Sequence, residues 1–126
     1  MTILNLTQHH ASNEQVRSGV KEPENKALIQ DLLTFDSIPT KDELENRAAI
    51  LAEYAHDSGA KSAMIGGAPF FMAPLEIALI AKGIQPLYAF SQRVYEEDPA
   101  TREKKSIFKH IGFVESGLSV ESIEKL

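Results

Sequence analysis

The stretch Met64-Ile65-Gly66-Gly67-Ala68-Pro69 decides the fold of this chain. A short apolar run ends at two glycines, and a proline then opens a helical pattern. Glycine lets the backbone turn tightly and approach a bound group, and Pro69 suits a first helical turn because its missing N–H would have no partner there. This order predicts a buried strand that leads directly into a helix N-terminus, where free N–H groups can face a phosphate.

Apolar strands and amphipathic helices alternate on both sides of this turn. The predicted strands are 2–6, a short one at Val20, 62–65, 84–90 and 106–114. The predicted helices are a short one ending at Arg17, 26–35, one from a Thr40-Lys41-Asp42-Glu43 capping box to Gly59, and 70–81. The alternation is typical of an α/β domain with a mainly parallel sheet and helices on both faces. The last two strands predict a C-terminal β-hairpin, and 117–126 a weak terminal helix.

The composition indicates one domain and excludes several kinds of site. A chain of 126 residues without cysteine forms one core and has neither disulfides nor thiolate ligands. Its net charge of -5 disfavours broad binding to duplex DNA. No apolar run reaches the ~18 residues that span a membrane, and the start lacks the features of a signal peptide. We therefore expect a cytoplasmic protein.

The predicted helix over 70–81 is apolar nearly all round. This composition is typical of a helix that is buried on two sides. Two explanations of the second buried side are open: it belongs to a dimer interface, or it lies in the core beneath a loop.

Three polar clusters follow the predicted strands: Thr7 to Ser12 after the first, Gly66 to Pro69 after the central one, and Ser91-Gln92-Arg93 after Phe90. Right-handed crossovers place the carboxyl ends of parallel strands on the same edge of a sheet. Ligands of open α/β sheets bind at that edge. The sequence therefore predicts that the three clusters converge on one ligand site.

Several common chemistries lack their motifs in this chain. The glycine pair is not followed by the Lys-Ser/Thr of a P-loop and does not have the spacing of a dinucleotide fingerprint. Ser91 does not lie in a nucleophile elbow. The histidines form no H-x-x-x-H pair, so a metal site is not expected, and His10 and His110 are expected to face solvent.

The remaining side chains suit a phosphodiester. His9 can move a proton near neutral pH, Arg93 and Lys109 can hold phosphate oxygens, and two hydroxyls, those of Thr7 and Ser12, can hydrogen-bond them. An RNA substrate supplies its own nucleophile, the 2′-hydroxyl, so the reaction needs no metal. Each side chain also has a structural explanation as a turn residue, a helix cap or a solvated strand charge.

Five short motifs run in order through nearly the whole chain: Asn5-Leu6-Thr7-Gln8-His9 through Gln15, Ser37-Ile38-Pro39, Gly66-Gly67-Ala68-Pro69-Phe70, the run 82–93 that ends in Ala89-Phe90-Ser91-Gln92-Arg93, and Phe108-Lys109-His110-Ile111-Gly112-Phe113. In this order they resemble small stand-alone CRISPR-associated proteins with a CARF-like, Rossmann-type domain. Among those proteins are ring nucleases that degrade cyclic oligoadenylate.

The resemblance implies one Rossmann-like domain over 1–126 and a homodimer whose two strand edges form one cleft for a cyclic oligoadenylate. It implies catalysis by His9, Arg93 and Lys109 without a metal or cofactor. The ligand contacts that it implies are Thr7, Gln8, Ser12, Gly66, Gly67, Ala68, Ser91 and Gln92. Attack by the 2′-hydroxyl would give linear products with a 2′,3′-cyclic phosphate and shut off type III CRISPR signalling. The ring size is left open.

Two other functions stay open at this point. A nucleotide-binding module would sense or sequester the ligand without cleaving it. An interaction protein would instead present the apolar stretch Phe70-Phe71-Met72 to a partner, and its polar loops would be only structural.

Overall fold

A computed structural model describes residues 2–117 of the chain. Its elements are β1 (Ile3–Leu6), α1 (Asn13–Arg17), β2 (Val20–Lys21), α2 (Lys26–Leu32), α3 (Lys41–Asp57), β3 (Ser62–Ile65), α4 (Pro69–Ala81), β4 (Gln85–Glu97) and β5 (Lys104–Glu115). The predicted mixed α/β architecture is confirmed. The terminal helix predicted over 117–126 lies, apart from Gly117, outside the described residues.

The five strands form a single sheet in the order β2-β1-β3-β4-β5. β1 is parallel to β2 and β3, β3 is parallel to β4, and β4 is antiparallel to β5. Leu6 pairs with Ile65, which in turn pairs with Tyr88. The carboxyl ends of β1 and β3 therefore lie level with one another, beside Tyr88 of the longer strand β4.

The large hydrophobic core lies on one side of the sheet, which we call the helix side. Strand residues Leu6 and Ile65 pack there against side chains from α2, α3 and α4, including Leu51 and Phe71, which are fully buried. Burial of each such side chain stabilises the fold by roughly 1.5–3 kcal/mol. The three long helices are held mainly by this core.

The opposite side of the sheet, which we call the second side, carries a smaller cluster. Its buried members are Ile3, Val20, Met64 and Leu87, with Ala11 and Phe113 packed against them. No helical side chain among the described residues belongs to this cluster. The side chains that α2, α3 and α4 bury therefore lie on the helix side, whereas strand and loop residues form the cluster on the second side.

Within the described residues of one chain, helix α4 is buried on one side, and no loop covers its other side as one of the two explanations expected. Phe71, Leu75 and Leu79 are fully buried, whereas about half of Phe70 and of Ile77 is exposed. Phe70 is supported by the ring of Phe35, whose centroid lies 5.1 Å away in an edge-on arrangement. The apolar composition of the helix therefore reflects one core face and one face that is open in the described residues.

The capping box forms at a different helix from the one predicted. Ser12 accepts a hydrogen bond from the Gln15 N–H, and the Gln15 side chain accepts one from the Ser12 N–H. At α3 only half of the motif exists, because Thr40 accepts from Glu43 N–H while the Glu43 carboxylate binds Arg47 at 3.2 Å. Competition from Arg47 thus removes the second half of the box.

The C-terminal hairpin is confirmed, but it is longer than predicted. β4 continues past Phe90 to Glu97 through an irregularity between Phe90 and Ser91, and β5 returns from Lys104. The predicted strand end at Phe90 is therefore wrong. We call residues 91–110 the arm, since they extend beyond the parallel strands. Within the described residues, no helix has the length and apolar character needed to cross a membrane.

Candidate functional site

A cavity of about 380 Å³ opens at the carboxyl ends of β1, β3 and β4. We call it the edge cleft. Its lining residues are Thr7, Gln8, His9, His10, Gln15, Met64, Ile65, Gly66, Gly67, Tyr88 and Ala89. The structure thus brings two of the three predicted clusters together, the loop after β1 and the glycine turn after β3. Five of the predicted site residues, Thr7, Gln8, His9, Gly66 and Gly67, line this one cavity.

Asn5 holds the loop that carries His9. The side chain is fully buried, and its Oδ1 accepts hydrogen bonds from the Thr7 N–H at 2.9 Å and from the Thr7 hydroxyl at 2.7 Å. Its Nδ2 donates to the His9 carbonyl at 2.8 Å and to the Glu22 carboxylate at 2.9 Å. The backbone of the loop is therefore fixed at both Thr7 and His9.

The side chain of Lys26 also stabilises this loop. The Lys26 ammonium donates to the carbonyls of Thr7 and His9, both at 2.8 Å, and to Glu22 at 3.2 Å. Its side chain is only 14% exposed. Because the ammonium donates to these three acceptors, Lys26 stabilises the loop and has no donor left for a ligand.

Glu22 completes this network. Its carboxylate also accepts the Ala11 N–H at 2.6 Å. Burial alone raises the pKa of Glu22, but hydrogen bonds from Ala11, Asn5 and Lys26, together with the charge of Lys26, outweigh it and lower the pKa below 4.5. Glu22 therefore stays ionised near neutral pH and anchors both cationic and amide donors.

The side-chain amide of Gln8 is hydrogen-bonded to the residues at the end of α2. Its Nε2 donates to the carbonyl of Leu33 at 3.2 Å and to the hydroxyl of Thr34 at 3.0 Å. The Gln30 side chain donates back to the Gln8 carbonyl at 3.0 Å. These bonds fasten the loop to α2, so the amide of Gln8 has a structural role in addition to lining the cleft.

The glycine turn closes the cleft from the β3 side. Gly67 has a φ of +145°, a conformation that side chains rarely adopt. A Cβ on Gly66 would meet the methyl of Thr7 at 3.7 Å, so the turn and the β1 loop lie in direct contact. At the start of α4, Ala68 provides no side-chain cap and Pro69 occupies the first turn. Ala68 itself lies just outside the lining.

Tyr88 forms the wall beside β4. Its hydroxyl donates to Glu76 of α4 at 3.2 Å. Burial, then the charge of Glu76 and this hydrogen bond, raise the pKa of Tyr88 to about 12. The phenol therefore stays protonated at neutral pH and contributes an apolar ring to the cleft.

The third predicted cluster does not reach the cleft in one chain. Ser91, Gln92 and Arg93 lie in the arm, and none of them is among the lining residues. The Arg93 guanidinium packs over the ring of Phe108, 5.1 Å from its centroid. Convergence was predicted because the strand was expected to end at Phe90, whereas the chain continues in extended form.

Arg93 and Lys109 lie on opposite faces of the arm. Arg93 pairs with Phe108, and Lys109 pairs with Gln92, the neighbour of Arg93. Directly paired residues share a face and successive residues alternate. The two cations cannot point toward the same phosphate from one arm. Ser12 lies outside the lining as well, where its hydroxyl caps α1.

Among the described residues, the ionisable side chains that line the edge cleft are His9, His10 and Tyr88, and no lysine, arginine or carboxylate belongs to the lining. Both histidines are exposed, as predicted for His10. The backbone of the β1 loop is rigid while the imidazole of His9 is open to the cleft. This arrangement can position a titratable group beside a bound ligand.

Sequence reasoning missed the residues that hold the loop: Asn5, Glu22, Lys26 and Gln30. One signal was present, because Asn5 interrupts the apolar run of β1 and a buried amide in a strand needs partners. Another histidine was misjudged. His110 is half-buried against Phe113, and both of its ring nitrogens are buried without a hydrogen-bond partner in the part of the chain that the structure describes.

Comparison with known protein families matches residues 1–114 to the uncharacterized protein MJ1673 family. No curated protein and no solved structure matches the chain.

Proposed function

The chain belongs to the uncharacterized protein MJ1673 family, and we propose that it binds a cyclic oligoadenylate at the edge cleft and cleaves it. The observation that carries the proposal is the meeting of the His9 loop with the Gly66-Gly67 turn in one cavity. Parallel strands that lead through a glycine turn into α4 also support a Rossmann-type domain. The ordered motifs that resemble the ring nucleases supply the ligand class.

The size of the cleft favours one nucleotide unit of such a ring. Its volume of about 380 Å³ is near the lower end of the ~300–1,000 Å³ of small-molecule sites. A ring of several nucleotides exceeds it, so the other units lie outside the cleft. A twofold dimer would offer a second, identical cleft to a symmetric ring, and we include this homodimer in the proposal.

The proposed reaction is an internal transfer at phosphorus. The 2′-hydroxyl loses its proton and its oxygen bonds to the adjacent phosphorus, the bond from phosphorus to the 5′ oxygen breaks, and the 5′ oxygen takes up a proton. No water is consumed, and the product is a linear oligomer with a 2′,3′-cyclic phosphate. His9 moves a proton in this step, which typically contributes 10²–10⁴-fold.

Phosphate charge is held by backbone N–H groups of the glycine turn and by Arg93. A guanidinium suits phosphate because it donates two parallel hydrogen bonds. Lys109, on the opposite face of the arm, has no part in this contact. Cleavage of the ring would shut off a type III CRISPR signal.

The reaction is tested by incubating the purified protein, with EDTA, with cyclic tri-, tetra- and hexa-adenylate. Chromatography and mass spectrometry then resolve the products. Linear fragments with a cyclic phosphate support the proposal and identify the preferred ring. If the rings stay intact but calorimetry detects binding, the protein is a sensor or a sequestering module, and neither binding nor cleavage would reject the ligand class.

Substitution of His9 assigns its role. We expect His9→Ala to lose turnover by at least ~10²-fold and to retain binding of the ring. The matched control is His56→Ala, since His56 is an exposed histidine on α3 and is not a lining residue of the cleft. Equal turnover by the two variants would show that His9 takes no part in the reaction.

A further inference from the structure

Within the described residues, 2–117, the arm is supported only by the pairing of its own two strands. β3 pairs with β4 only as far as Tyr88, and beyond that residue β4 has β5 as its one neighbour in the sheet. From Ala89 to Lys109 every side chain is exposed except those of Val94 and Asp98. A two-stranded hairpin is at best marginally stable in water. The arm therefore needs a surface to pack on.

One face of the arm continues the second side of the sheet. Ala89, which lines the cleft, alternates with Ser91, Arg93 and Tyr95 along β4, so these four side chains share this face. Phe108 lies on it opposite Arg93. Tyr95 is 69% and Phe108 68% exposed. We call this the aromatic face of the arm.

Charge favours a second copy of this chain as the partner. The arm has five basic and four acidic side chains, whereas the rest of the chain has eight basic and fourteen acidic ones. The arm is thus slightly positive and faces a strongly negative body in any other copy. A nucleic acid is disfavoured because Glu96, Glu97 and Asp98 lie among the basic residues and Arg93 already covers the Phe108 ring.

The separation between Arg93 and Ala89 along β4 determines which twofold axis would bring Arg93 of one copy to the cleft of the other. Arg93 is four residues beyond Ala89, or ~13 Å at ~3.3 Å per residue, and its guanidinium rests on Phe108. It is thus held away from its own cleft. A twofold axis at Ser91 would make two arms antiparallel and bring Arg93 of each copy level with Ala89 of the other.

We infer that two copies of this chain associate through the aromatic faces of their arms, about a twofold axis near Ser91, and that each arm carries Arg93 to the edge cleft of the other copy. Among the described residues, no lysine or arginine lines the clefts, and the exchange supplies an arginine. The role of Arg93 in the cleft and the position of the axis rest on the proposed function, whereas association through the aromatic faces rests on the arm alone.

The interface is tested without any ligand. We expect a dimer by multi-angle light scattering, and at least a tenfold weaker one for Tyr95→Ser/Phe108→Ser. The control, Ile38→Ser/Ile77→Ser, removes two other mostly exposed apolar side chains from outside the arm and keeps the dimer. A monomeric wild type, or a control as weakened as the arm variant, overturns the interface.

The axis is tested by cross-linking. Since the chain has no cysteine, Ser91→Cys introduces one thiol per copy, and oxidation should give a covalent dimer because disulfides need Cβ atoms within ~4.5 Å. Ser37→Cys places a thiol on an exposed loop and should stay uncross-linked. A dimer in which Ser91→Cys does not cross-link would refute the proposed axis.

The exchange of Arg93 is tested by mixing His9→Ala with Arg93→Ala, after dissociation and reassociation. Only mixed dimers then hold an intact His9 and a partner's Arg93 at one cleft, so about a quarter of the wild-type rate should return. No recovery, with an active wild type, means that Arg93 acts in its own chain. An inactive wild type rejects the proposed cleavage while the mass and cross-linking results still decide the interface.

Discussion

The body of the molecule and its arm are built from the same sheet but stabilised differently. In the body, β3 has a strand on each side and α2, α3 and α4 cover the helix side. In the arm, the two strands have only each other as neighbours among the described residues, and large side chains such as Tyr95 and Phe108 are mostly exposed. The difference indicates that the body folds on its own contacts, whereas the arm would gain packing from the proposed association.

The largest expected effect is on the free energy of unfolding, and it differs between a substitution in the body and one of similar size in the arm. Leu51→Ala empties a fully buried site in the body and should lower the free energy of unfolding by ~2–5 kcal/mol. Ile107→Ala, at a side chain that is 38% exposed, should cost well under ~1 kcal/mol in the monomer. Urea denaturation at low protein concentration measures both. Equal losses would show that the arm packs within its own chain.

The sequence predicted features that short segments determine. The strand, glycine turn and helix around Gly67 follow from adjacent residues, and they placed one wall of the edge cleft correctly. Most of β5 was predicted as the strand over 106–114. The continuation of β4 was not predictable in the same way, because residues 91–97 are largely polar and lack the alternation that marks a half-buried strand. The predicted convergence of Arg93 failed for that reason.

Polar contacts between residues distant in the chain also could not be predicted from the sequence. Asn5 lies 17 residues before Glu22 and meets it only once β1 and the chain leading into α2 are in place. The capping boxes show the same limit, since the motif at Thr40 was as good as the one at Ser12. At Thr40 the Glu43 carboxylate binds Arg47, one helical turn later, and not the N-cap backbone.

A smaller effect is expected from the lysines of the two regions. Lys26→Met leaves the carbonyls of Thr7 and His9 without the donor that they have now, and it should lower the free energy of unfolding by ~1–3 kcal/mol. Lys104→Met removes an exposed ammonium of the arm and should change it by less than ~0.5 kcal/mol. Denaturant titration distinguishes these outcomes. A neutral Lys26→Met would mean that Asn5 alone holds the His9 loop.

The smallest expected effect is a pH dependence of stability that arises from Glu22 in the body. The pKa of Glu22 is lowered in the folded protein, so its stabilisation is complete above its unfolded pKa, about 4.5, and is lost as pH falls through the lower folded pKa. The difference in unfolding free energy between wild type and Glu22→Gln should therefore shrink on acidification below that value. A flat difference for Glu22→Gln would show that the hydrogen bonds from Ala11, Asn5 and Lys26 leave the ionisation of this carboxylate unchanged on folding.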